Sequence, residues 1–77
     1  VTREDMAVMA ARAGKISGGD PAEFSDFAEI SSYAQDAVSA LSQKGVISGY
    51  ADGSFRPKNK ITRAEAAVMI YRLIHLK

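Results

Sequence analysis

Cysteine is absent from this chain, so neither a disulfide nor a thiolate metal site can brace it. A single histidine, His75, cannot build a zinc site alone. Charge of one sign is also missing. Ten basic and nine acidic side chains leave a net charge of +1, too balanced to point to nucleic acid or a membrane surface. No apolar run approaches the roughly 20 residues of a membrane span, so membrane insertion is not expected. No nucleophile–base pair or metal cluster shows suggestive spacing, so neither an enzyme nor a cofactor is expected. Asp52 has no alternating acidic partners, which argues against a calcium loop. What is present is the material of one small domain: 77 residues, 47% of them hydrophobic. A domain of this size buries only about 60% of its unfolded surface and leans on association or on neighbouring sequence.

The most informative feature is an internal repeat. Residues 1–12, VTREDMAVMAAR, align with residues 61–72, ITRAEAAVMIYR, at an offset of 60, with six identities. The chain therefore reads as starting partway through one repeat and running to the end of the next. Its opening on Val1 gives the same expectation of a piece of something longer.

Apolar spacing predicts three helices joined by long connections, an all-α fold. The first runs from Arg3 to Ala13, with Met6, Met9, Ala10 and Ala13 on its inner face and Gly14 just past its end. Thr2 caps it, with Asp5 reaching back as in a capping box. The second runs from Tyr33 to Lys44, capped by Ser32 with Gln35, and buries Ala34, Ala37, Val38 and Leu41. The third runs from Arg63 to Leu76 behind the best box in the chain, Thr62 with Glu65. It carries two overlapping apolar stripes, Ala66, Met69, Ile70, Leu73 and Ala67, Ile70, Tyr71, Ile74, a width that implies contact on two sides. Between the second and third helices lies an ordered loop, Val46 to Lys60, anchored by Ile47, Tyr50 and Phe55 and turned at Asp52-Gly53. That connection is far too long for a helix-turn-helix.

Ordered motifs run through residues 24–77: Phe24-Ser25-Asp26, Tyr33-Ala34, Gly45-Val46-Ile47, Gly49-Tyr50-Ala51-Asp52-Gly53-Ser54-Phe55-Arg56-Pro57 and Ile61-Thr62-Arg63-Ala64-Glu65. In this order they resemble an S-layer homology repeat, with Tyr33 where that family usually has Trp. Thr2-Arg3-Glu4-Asp5 looks like a weaker form of the last motif. The resemblance divides the chain into the closing helix of a preceding repeat (1–14), an inter-repeat loop (15–23) and one complete repeat (24–77). It implies a place in a helical-bundle spindle of such repeats, with ligand grooves between neighbours. It also implies an extracellular, wall-bound module that holds a secondary cell-wall polysaccharide, often one bearing pyruvate ketals.

Arg63 stands first among the residues expected to serve that role. A cation in the first turn of a helix is disfavoured by the dipole by roughly 0.3–1 kcal/mol, so it needs a local reason. Two reasons stand open: a guanidinium receptor for a ligand carboxylate, or a structural ion pair with Asp26, Asp52 or a neighbouring repeat. Arg3 occupies the matching position. In the loop, Gly49, Tyr50, Asp52 and Arg56 offer close backbone approach, a stacking face and charge, although turn formation explains much of the same pattern. Gly18 and Gly19 form a second permissive loop, and Asp26 and Tyr33 complete the set. The alternative to glycan binding is protein–protein assembly through the wide apolar face of the third helix, with neighbouring repeats or as a homo-oligomer such as a trimer.

Overall fold

The computed structural model describes residues 1–76 and is all-α: α1 (Arg3–Gly14), a short 3-10 turn (Phe27–Glu29), α2 (Ser32–Gln43) and α3 (Arg63–Ile74). No strand is present among the described residues; one isolated antiparallel bridge joins Thr2 to Lys60. That bridge sets the starts of α1 and α3 side by side, with Arg3 N–H donating to Asn59 O at 2.8 Å and Ile61 N–H to Val1 O at 2.9 Å. At the other end Leu73 of α3 packs directly over Gly14 of α1, where a Cβ would lie 2.7 Å from its Cδ1. The two equivalent helices of the repeat therefore run in the same direction.

Two of the three helices, α1 and α3, begin where a side chain replaces missing backbone partners. Thr62 Oγ1 accepts from Glu65 N–H at 3.1 Å while Glu65 Oε1 accepts from Thr62 N–H at 3.0 Å, the expected capping box. Thr2 Oγ1 likewise accepts from Asp5 N–H at 3.2 Å. Asp5 does not reach back, however; its carboxylate takes the Tyr33 hydroxyl at 2.7 Å instead. The box expected for Ser32 and Gln35 is also absent. The helix starts one residue earlier, with Ser31 at the cap position, and Gln35 Nε2 donates to Ile30 O. Ser31 is drawn off by Glu4, which accepts from both its amide and its hydroxyl. Gly14 stays inside α1, and Lys15 makes the left-handed turn at φ 54°.

The core joins Ala7, Ala10 and Ala11 of α1, Ala34, Val38 and Leu41 of α2, Met69 of α3, and Ile30, Val46, Ile47 and Phe55 of the connections. The α2 stripe is the predicted one. On α1 the inner face is rotated: Arg3 and Glu4 are buried beside Ala7, Ala10 and Ala11, while Met9 is 48% exposed and Ala13 lies outside. A hydropathy pattern cannot anticipate this, because it places a buried arginine and glutamate on the wet side. On α3 Met69 is buried, whereas Ile70, Tyr71 and Ile74 stay exposed, so one of its two stripes is unpartnered.

Candidate functional site

The loop after α2 folds back on itself. Tyr50 N–H donates to Ser54 O and Gly53 N–H to Tyr50 O, while Asp52 accepts from the Ser54 amide and hydroxyl. Asp26 fixes the far side: its two carboxylate oxygens accept from Phe55 N–H and Arg56 N–H, each at 2.8 Å. This pair of hydrogen bonds to backbone holds Arg56 at a φ of 59° and sets the Phe55 ring in the core against Phe24. Gly49 is required by close approach, since a Cβ there would sit 2.6 Å from Ser54 O and 2.7 Å from the Phe24 ring. Gly49→Ala is accordingly expected to cost about 1–3 kcal/mol through overpacking, read as a lower urea midpoint.

Between this loop and α3 lies a hollow of about 280 Å³. Val46, Ile47 and Met69 give it an apolar lining, Gly49 and Tyr50 add backbone and an aromatic ring, and Ser48 and Arg72 supply polar groups. Its size is near the lower end of ligand clefts, about 300 Å³, and suits one sugar unit rather than a long stretch of polymer.

Arg3 anchors this region from α1. Arg3 is 5% exposed, and its guanidinium pairs with Glu65 at 3.0 Å and donates to Phe55 O at 2.8 Å. It also lies 4.7 Å and 4.9 Å from the ring centres of Tyr50 and Phe55. Tyr50 in turn donates its hydroxyl to Glu65. The Tyr50 hydroxyl, the Thr62 amide and the Arg3 charge hold the Glu65 carboxyl below its ordinary range, against the opposing effect of burial. The same hydrogen bond, helped by burial, pushes the Tyr50 phenol up.

A second polar cluster ties α1 to the start of α2. Burial acts to raise the Glu4 carboxyl, but Ser31, Lys58 and Tyr33 together bring it below its ordinary value. Tyr33 is pushed up to about 12, first by its hydrogen bond to Asp5 and then by burial and Glu4. Both glutamates titrate lower folded than unfolded. They therefore contribute stability that is complete above about pH 5 and is lost as pH falls through their folded values. Urea midpoints should drop steeply between about pH 5 and pH 3, and Glu65→Gln should flatten that fall.

The expected site residues do not converge on one place. Arg3, Gly49 and Tyr50 meet at the hollow. Arg56 adjoins it, its guanidinium 4.1 Å from the Tyr50 ring centre and 3.3 Å from Asp52. Asp52, lowered to about 2 by the Ser54 hydroxyl and amide and by Arg56, serves the turn, and Asp26 serves the loop backbone. Tyr33 sits in the α1–α2 cluster. Gly18 and Gly19 lie in the separate connection after α1, at φ 77° and 113°. Arg63 is exposed at the start of α3 and does not line the hollow. Arg72 and Ser48 are the polar groups that motif reading missed. The signal for Arg72 was present, because Arg12 and Arg72 close the repeated segment as one of its six identities.

The S-layer homology domain model matches residues 23–67. Over 53 residues the chain is 47% identical to the outer membrane protein SlpA of Thermus thermophilus, covering 69% of this chain and 6% of that protein. It is 45% identical over 56 residues to the surface-layer 125 kDa protein of Lysinibacillus sphaericus, covering 73% of this chain and 5% of that one. It is 36% identical over 80 residues to an amylopullulanase of Thermoanaerobacterium thermosulfurigenes, covering 96% of this chain and 4% of the enzyme. The chain thus spans only a small fraction of each relative. No solved structure matches it significantly.

Proposed function

The chain belongs to the S-layer homology domain family, and we propose that it anchors its parent protein by gripping an anionic cell-wall polysaccharide in the hollow between the Ser48–Tyr50 segment and α3. The module is non-catalytic and acts at the cell surface; recognition alone is asked of it. The observation that carries the reading is Arg72, a guanidinium that makes no ion pair among the described residues and lines the same hollow as Tyr50 and the Gly49 backbone. A guanidinium binds a carboxylate through two parallel hydrogen bonds. A pyruvate ketal on an amino sugar supplies that carboxylate, while the sugar's apolar face suits Tyr50 and its hydroxyls suit Ser48. Arg3, already paired with Glu65, holds Tyr50 and α3 in place beneath the ligand.

A pull-down with purified cell-wall sacculi tests this. Intact sacculi should retain the chain, less so as salt rises. Sacculi chemically stripped of wall polymer should not retain it. Equal retention by polymer freed of its acidic substituents would show that charge recognition is the wrong mechanism.

A further inference from the structure

Glu65 belongs to the framework and to the hollow at once: it pairs with Arg3, and its side chain, 27% exposed, lines the hollow. A carboxylate has about four acceptor sites. Oε2 accepts from the Arg3 guanidinium and the Tyr50 hydroxyl, and Oε1 from the Thr62 amide, which leaves acceptor capacity on Oε1. Glu65, Val68, Met69 and Arg72 stand at i, i+3, i+4 and i+7 of α3, so they share one face, and all four line the hollow. Along that face run a carboxylate, an apolar middle and a guanidinium, the Cα atoms of the two charged residues about 10 Å apart. Arg3 also lines the hollow, but it is 5% exposed and held by Glu65 and Phe55 O, so it offers no free fork to an acid. The hollow therefore has a direction, with an acceptor at one end and a cation at the other.

We propose that Glu65 is the specificity-determining residue of the hollow. It fixes the direction of the bound sugar and admits a unit with one acidic group at one edge and an N–H or O–H at the opposite edge. The acid goes to Arg72, the ring spans Val68 and Met69, and the donor edge meets Glu65 Oε1. Reversing the sugar would set acid against carboxylate and donors against guanidinium, replacing two matched contacts with two repulsive ones. A second acid on the donor edge is rejected for the same reason. A sugar without those donors leaves the carboxylate stripped of water and unpaired. This selectivity presupposes that the hollow holds an acidic glycan, and adds which edge of the sugar faces which end.

The test titrates the chain calorimetrically with three methyl glycosides. The first is an N-acetylhexosamine carrying one pyruvate ketal. The second is its dideoxy counterpart, which keeps the acid and lacks the N–H and O–H of the opposite edge. The third keeps the N–H and carries a carboxymethyl ether on that edge's hydroxyl, adding a second acid. The second and third should each bind about tenfold or more weakly than the first. In Glu65→Gln the penalty on the diacid should shrink at least about fivefold, because a neutral amide no longer repels it, while the donor-free sugar stays weak. A partly unfolded variant lowers every apparent affinity by the same factor, so the ratios stay readable. If the variant does not fold at all, the ratios of the parent chain decide alone. A second or third glycoside within about threefold of the first would overturn the proposal and leave acid recognition at Arg72 standing. So would a diacid penalty unchanged in folded Glu65→Gln. A first glycoside that does not bind would overturn both.

Discussion

Replacing Arg3 with alanine is expected to destabilise the fold by about 3–5 kcal/mol, the cost of removing one member of a buried ion pair. The guanidinium links every part of the site. It pairs with Glu65 of α3, donates to the Phe55 carbonyl, and lies against the Tyr50 and Phe55 rings. Its removal leaves a buried carbonyl oxygen without its donor and a carboxylate with its charge unmatched. Glu65 keeps the Tyr50 hydroxyl and the Thr62 amide and is only partly buried, which favours the lower end of the range. Even so, small domains of this kind rarely have more than 3–5 kcal/mol in hand. Arg3→Ala should therefore lose most of its helical circular dichroism at 37 °C, whereas Arg63→Ala, at the equivalent exposed position, should keep the parent's spectrum. Arg3→Lys is expected to rescue little, because an ammonium cannot reach Phe55 O and Glu65 while lying flat against two rings.

The second large effect falls on binding. Arg72→Ala should weaken retention of an acidic wall polymer by roughly 1.5–3 kcal/mol, about tenfold to a hundredfold in affinity. Stability should change little, since Arg72 is exposed and forms no ion pair among the described residues. A binding titration beside a urea curve separates the two: affinity falls and the midpoint stays. The Arg3 and Arg72 variants thus read opposite properties of one region, the first its framework and the second its open side.

Much of the fold was legible in the sequence because it rests on local rules. The Thr62–Glu65 box, the α2 stripe and the turn around Asp52 each depend on residues within a few positions of one another. The failures came where distant partners compete for a side chain. Asp5 gives up its cap to Tyr33, and Ser31 is taken by Glu4 across 27 residues. Arg3 and Glu4 turn inward because residues more than fifty positions away supply Glu65, Phe55 O and Lys58. A periodicity count assigns such residues to water and so misplaces the whole face of α1. For the candidate site, loop motifs pointed to Gly49 and Tyr50, but the hollow is completed by Arg72, two turns along α3 from the motif that drew the eye to Arg63. The exposed stripe on α3 was readable as a width of apolar surface, because it rests on local periodicity alone.

Glycan seating beside Arg72 is tested most directly by titrating the isotope-labelled chain with a soluble, pyruvylated fragment of wall polymer and following its resonances. The account predicts saturable shifts at the amides of Ser48, Gly49 and Tyr50 and at the Arg72 side-chain Nε–H. Shifts confined to the Gly18–Asp20 connection, or an Arg72 side chain untouched at saturation, would contradict it.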